Sequence, residues 1–233
     1  METIEQQFSR KERERHFKRQ EIVAAARLVF AMQGFSAATL DDIADEAEYS
    51  KGTLYNYFES KEELFETVIA DVVDEFVEIA TEHCTDAERG LRDSYLSFAR
   101  DLLRHLFANV GIYSLVMREF HKMEANTHLA MLMPNLIMIM AEPLERAIRS
   151  GDVEPLPAEQ TSMMFITMIF SLFKSTLHIR HADVFNSEKR QISLASEQIE
   201  DDIKNALCII DRTFFAGIFA RTSDDRNGWC FQK

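Results

Sequence analysis

Apolar residues recur along this chain at helical spacing rather than in strand-like alternation. Ile22, Ala26, Val29 and Phe30 form one stripe, which predicts a helix from about Phe17 to Gln33 that Gly34 brings to an end. Leu40, Ile43, Ala44 and Ala47 share one face of a short second helix. Thr39, with Asp42 three residues on, gives that helix a capped start. Ser50 is placed to cap a third helix to about Phe58, held down by Leu54 and Phe58 at i and i+4. Ser60 and Glu63 then open a long connector, Lys61 to about His83, with the apolar ladder Leu64, Val68, Val72 and Phe76. Helices with one shared core and one polar outer face make a helix-turn-helix unit, assigned to residues 1–63.

Residues 64–233 show hardly any strand signal, so the fold class is all-α, with a larger helical domain behind the first. The pattern predicts helices from Glu88 to Phe107, from Ile112 to about Ala125, and onward to Ser150, where Gly151 stops the chain. Pro157 opens another to about His181, and the last runs from about Glu197 to Arg221. Pro134 and Pro143, which lack an amide donor, are expected to start or kink helices. From Met163 to Phe173 almost no polar face remains, and Ile199, Ile203, Leu207, Ile210, Phe214 and Ile218 stripe the last helix. Two such helices fit an isologous homodimer interface or, equally, core buried within one chain. Cys208, in an apolar helix, is expected in the core.

Charge narrows the picture unevenly. The chain carries a net −13, and residues 1–63 alone hold 9 Lys/Arg against 13 Asp/Glu, which disfavours indiscriminate binding to nucleic acid. The local exception is Arg10–Arg19, with six basic residues to two acidic ones. This run is either a phosphate-contacting arm, with Lys18 and Arg19 the candidates, or a solvated helix with pairs such as Glu12–Arg15. No apolar run approaches the ~20 residues that span a bilayer, and no secretory leader opens the chain, so a cytoplasmic protein is expected, without membrane contact. Cys84, Cys208 and Cys230 show neither metal nor redox spacing. The seven histidines include no H-E-x-x-H, and G-x-S-x-G, P-loop and Rossmann fingerprints are absent. The expectation is a non-enzyme with no cofactor and no metal.

The candidate chemistry sits on the helix after Ser50. Lys51, Thr53, Tyr55, Asn56 and Tyr57 crowd about two turns with hydrogen-bonding side chains, as reading base-pair edges requires. Half-buried packing tyrosines are the plainer reading of the same residues. Lys51 suits guanine O6 and N7, Asn56 adenine or a phosphate, and Tyr55 or Thr53 a thymine methyl. Gly52 lets the helix N-terminus come close.

The run from Arg19 to Ile69, through AA-x-x-x-F-x-x-x-GF, DIA-x-x-A, S-x-GTLY-x-YF and S-KEEL, resembles the DNA-binding domain of the TetR (tetracycline-repressor-like) family of bacterial regulators. The resemblance implies that Thr39 and Tyr57 hold the DNA backbone with Lys61 adding charge, while Lys51, Gly52, Thr53, Tyr55 and Asn56 face the major groove. It also favours the homodimer, through a four-helix interface. The chain departs from the family where A-G-V-S is usual: here Ala47-Glu48-Tyr49-Ser50 puts an acid where a glycine normally allows a positive φ. Glu48 must adopt a left-handed conformation, or the turn must differ.

Nine of the eleven methionines fall between Met117 and Met168. Plain core filling is their default role, yet such flexible side chains beside phenylalanines also suit an adaptable apolar pocket. The family's usual inducer cavity lies in this region. The expected lining is Phe98, Leu102, Met117, Phe120, Met133, Ile137, Met140, Phe165, Met168 and Phe173, with His121, Arg118 and Glu119 as polar handles. The expected protein is a dimeric repressor on a near-palindromic double-stranded operator, released when a small hydrophobic effector tilts the connector helix. The alternative is a helical small-molecule-binding or scaffold protein with little operator affinity, motivated by Glu48 and the acidic head.

Overall fold

A computed structural model describes residues 9–113, 127–181 and 196–216, and every regular element within them is helical. In order these are α1 Arg10–Gln33, α2 Leu40–Glu46, α3 Lys51–Tyr55, α4 Lys61–Cys84, α5 Leu91–Ala108, α6 Thr127–Ser150, α7 Ala158–Arg180 and α8 Ser196–Ile210. The helix expected from Ile112 to Ala125 lies mostly outside the described residues. The chain divides into two compact units, and the division cuts α4 between Glu75 and Phe76. The first unit therefore extends further along α4 than the expected head of residues 1–63, and it also takes in the described residues 109–113.

The first unit is built on the predicted stripes. Ile22, Ala26, Val29 and Phe30 of α1 are buried with Ile43, Leu54, Phe58, Leu64 and Val68. Phe65 packs edge-on to Phe30 at 5.2 Å between centroids and lies 4.6 Å from Phe35. α1 starts at Arg10, well before Phe17, because Ser9 and Glu12 form a capping box: the Glu12 amide donates to Ser9 Oγ, and the Ser9 amide to the Glu12 carboxylate. Gly34, at φ 80°, supplies the positive φ that ends the helix. At the unit's rim, the Arg27 guanidinium donates to Glu75, and the Tyr113 hydroxyl donates to the same carboxylate at 3.2 Å. Gly111 packs closely on Ala31, where a Cβ would lie a tight 3.1 Å from that of Ala31.

The second unit buries Tyr95, Phe98, Leu102 and Leu106 of α5 with Leu136, Met140 and Leu144 of α6, Phe165, Ile169 and Phe173 of α7, and Ile203 and Ile210 of α8. Arg92 grips Asp211 with two bonds and Arg104 grips Glu200 likewise, tying α5 to α8 and to the π-helical turn Asp211–Phe215 beyond it. Three expectations need correcting here. Pro134 and Pro143 do not start a helix but lie inside α6. Cys208 is exposed, because the buried stripe of α8 is Asp202, Ile203, Ala206 and Ile210. Finally, α7, with 23 residues, is by length and composition alone long and apolar enough to cross a membrane. In this fold it packs Phe165, Ile166, Ile169, Phe173 and Leu177 into the core against α5 and α8.

Candidate nucleic-acid interface

Local chemistry fixes the α2–α3 pair before any tertiary contact is counted. The Asp42 amide donates to Thr39 Oγ1 at 3.1 Å and the Thr39 amide to the Asp42 carboxylate at 2.9 Å, closing the predicted cap. α2 ends in a Schellman turn, with the Tyr49 amide donating to the Ala44 carbonyl at 2.9 Å and the Glu48 amide to that of Asp45 at 3.2 Å. Glu48 occupies the left-handed position of this turn, at φ 57°, so the strained alternative is the one adopted. Glu48→Gly should therefore raise stability by about 1 kcal/mol in urea unfolding. An unchanged midpoint would mean that the turn tolerates the acid without strain.

Ser50 caps α3, accepting from the Thr53 amide at 3.2 Å. The helix closes at Tyr55, sooner than Phe58, as the Asn56 and Tyr57 amides turn to the carbonyls of Thr53 and Leu54. Leu54 and Phe58 are buried at 1% and 2% exposure, and between them Tyr55 stands 52% exposed. Lys51, Gly52 and Asn56 are exposed on the same outward side, while Thr53 and Tyr57 are half-buried. Gly52 leaves open space where a side chain would stand, its nearest neighbour being Ser50 Oγ at 3.9 Å. The outward face thus offers an ammonium, a phenol and an amide around a helix start free of bulk, a set suited to base edges.

The head's cations are less available than their positions in the sequence suggest. Lys51 donates to Asp41 at 2.7 Å, a bond that raises its pKa. Lys61 donates to the carbonyls of Phe35 and Ala38 at 2.8 and 2.9 Å and lies 4.6 Å from the Phe35 ring centroid. Arg19 lies over Phe58 at 4.8 Å and donates to Thr67. Thr39 spends its hydroxyl proton on Asp42. The Tyr49 hydroxyl donates to Glu21 at 2.6 Å, fastening the turn to α1. Apart from Asp42, none of these partners was named from the sequence, because each is distant along the chain and no spacing rule links them.

The residues expected to line an effector site fall differently in the second unit. Phe98, Leu102, Met140, Phe165 and Phe173 are buried, whereas Ile137 and Met168 are partly exposed. Met117, Arg118, Glu119, Phe120 and His121 lie outside the described residues, and Met133 lies on α6 where side chains are not described. Tyr95, which the sequence reading did not single out, is a buried polar group in the same unit. Its hydroxyl donates to the Met140 carbonyl at 2.7 Å, which leaves Ser162 as the donor in the 2.8 Å contact between the two hydroxyls. Burial pushes the Tyr95 pKa up, so the phenol stays neutral. Tyr95→Phe should cost about 1–3 kcal/mol in thermal unfolding, since it removes both buried bonds of the hydroxyl, to the Met140 carbonyl and to Ser162. A loss under about 0.5 kcal/mol would contradict that reading. Among the described residues no group of three or more His, Cys, Asp and Glu is placed to hold a metal. His181 instead bonds Asp202 at 2.7 Å.

Comparison with known proteins converges on the same head. Residues 22–68 match the family described as bacterial regulatory proteins, tetR family. The chain is 25% identical over 197 residues to the uncharacterized HTH-type transcriptional regulator YfiR of Bacillus subtilis, covering 82% of this chain and 92% of that one. It is 42% identical over 57 residues to the HTH-type transcriptional repressor KstR2 of Mycolicibacterium smegmatis, covering 24% of this chain and 28% of the relative. Its fold is shared with the transcriptional regulator FadR of Bacillus subtilis in complex with stearoyl-CoA. There the TM-score is 0.63 at 15% identity, with 82% of this chain and 96% of that one covered. An all-α chain whose α2–turn–α3 pair presents this outward face carries, in residues 22–68, the helix-turn-helix DNA-binding domain of the TetR-family transcriptional regulators.

Proposed function

We propose that this regulator binds a near-palindromic duplex operator as a homodimer, acts as a repressor, and is released by a small hydrophobic effector. The observation that carries the reading is the outward face of α3, with Tyr55 exposed between the buried anchors Leu54 and Phe58. In this reading Lys51, Gly52, Thr53, Tyr55 and Asn56 meet the major groove while Thr39, Tyr57 and Lys61 meet phosphates. Lys51 leaves Asp41 for a guanine or a backbone oxygen, exchanging one exposed ion pair for another. Two copies place their α3 helices about one DNA turn apart on one face of the duplex. That work belongs in the cytoplasm, where the chromosome is.

Several features support the finer parts. Apolar side chains left exposed on the second unit, Met163 and Met164 on α7 and Ile209 on α8, suit a self-complementary face. The relative KstR2 is named as a repressor, which favours that sign of control. FadR, of the same fold, holds stearoyl-CoA, and the aromatic and methionine side chains around Tyr95 suit an apolar or amphipathic guest of that kind. The effector must bind the DNA-incompetent state more tightly, or it shifts nothing. α4 is one unbroken helix shared by both units, and so the element through which that preference reaches the head.

The test is selection from randomised duplex DNA. Enrichment of an inverted repeat bound by two subunits, and lost on adding a medium- or long-chain acyl-CoA, is the expected result. No enrichment at low salt would favour a helical ligand-binding or scaffold protein, and enrichment of a single unrepeated site would overturn the dimeric operator.

A further inference from the structure

α1 extends well beyond the core it serves. From Arg10 to Lys18 it runs exposed over a length on the order of 13 Å, at 1.5 Å per residue. The run holds two acids, and both are engaged close by. Glu12 accepts from the Ser9 amide at 2.7 Å and Glu14 from Arg10 at 3.0 Å. Glu12 is therefore not the partner of Arg15 that their spacing suggested. Among the described residues of the first unit, Arg19, Arg27, Lys51 and Lys61 are all committed to partners within the fold. Lys11, Arg13, Arg15 and Lys18 are left with no acidic partner among the described residues.

Their placement is not uniform around the helix. At about 100° per residue, Lys11, Arg15 and Lys18 fall on the stripe that carries buried Ile22, Ala26 and Val29 further along. That is the side of α1 on which the rest of the head packs. Arg13 falls on the opposite side. α1 also touches both ends of the reading helix: Glu21 takes the Tyr49 hydroxyl just before Ser50, and Arg19 lies over Phe58 just after Tyr55. The three cations thus continue past α3 along the flank that carries it.

We propose that Lys11, Arg15 and Lys18 form a phosphate-binding arm that grips the DNA backbone beside the groove entered by α3. The arm rests on the reading of α3 as the DNA-contacting helix, and it adds cations that need not leave an internal partner, as Lys51 and Lys61 must. Each ammonium or guanidinium that neutralises a phosphate releases counterions, so the arm's contribution is read in the salt dependence of binding.

The experiment titrates the full-length protein against its selected operator, flanks included, from about 50 to 300 mM KCl. The variants are Lys11→Gln/Arg15→Gln/Lys18→Gln and, separately, Arg13→Gln, all at exposed positions and checked for wild-type circular dichroism. The triple variant should flatten the slope of log K against log salt by about 1–3 for each bound protomer, with sequence preference intact. Arg13→Gln should keep the wild-type slope. A triple variant with the wild-type slope, or an Arg13→Gln effect as large as a third of the triple's, overturns the arm. Those results would leave α3 standing, whereas failure of the wild type to select any sequence removes both.

Discussion

Leu54→Ala lowers stability by about 3 kcal/mol and abolishes operator binding, while Tyr55→Ala, one residue on, leaves stability within about 0.5 kcal/mol and weakens binding at least tenfold. The contrast follows from which way each side chain faces. Leu54 is 1% exposed and, with Phe58, is the apolar tie between α3 and the head. A five-residue helix cannot hold itself in water, so removing that tie removes the helix. Tyr55 is 52% exposed and no hydrogen bond to its hydroxyl is found among the described residues. Its loss costs the fold little and costs the complex whatever it contributes at the base edges, about 1–3 kcal/mol for a good contact. Urea unfolding and a fluorescence titration of both variants check the pair. Equal stability losses would mean that α3 is an ordinary packing helix.

Phe165→Ala costs about 3–5 kcal/mol. Phe165 is fully buried, with Tyr95 at 4.5 Å and Phe214 at 4.8 Å between ring centroids, and Phe214 packs edge-on to Phe215. The surroundings cannot close over the gap. Tyr95 is pinned by the Met140 carbonyl and Ser162, and the π-helical turn bearing the two phenylalanines is held to α5 by Arg92 and Asp211. A cavity that cannot collapse retains its full penalty. Calorimetric unfolding measures the loss. A value under about 1 kcal/mol would mean that the rings repack and that this part of the second unit is softer than its hydrogen bonds imply.

Much of the head was legible because its signals are local. Thr39, Ser50 and Ser60 cap through bonds three residues away, and Leu54 and Phe58 meet the core at helical spacing. The strain at Glu48 could be read because a positive φ is a property of the turn itself. Even the early start of α1 had a local sign, the Ser9–Glu12 box, passed over because residues 10–16 carry no apolar stripe. Partners of charged side chains were another matter. Lys61 reaches carbonyls at Phe35 and Ala38, Arg19 reaches Thr67, and Tyr95 reaches Met140, and nothing in a linear pattern couples such positions. Pro134 and Pro143 start no helix for a related reason. A missing amide donor weakens a helix in isolation, but Leu136, Met140 and Leu144 pack α6 into the core and hold it through both.

The central claim is that the outward face of α3 lies in the DNA groove. A photo-crosslinking residue at position 55, and separately at position 28 on the exposed outer side of α1, tests it most directly when the protein is bound to its selected operator. Crosslinks from position 55 should map to major-groove bases in both half-sites, with none from position 28. An operator-bound protein that crosslinks from position 28 and not from 55 would contradict it.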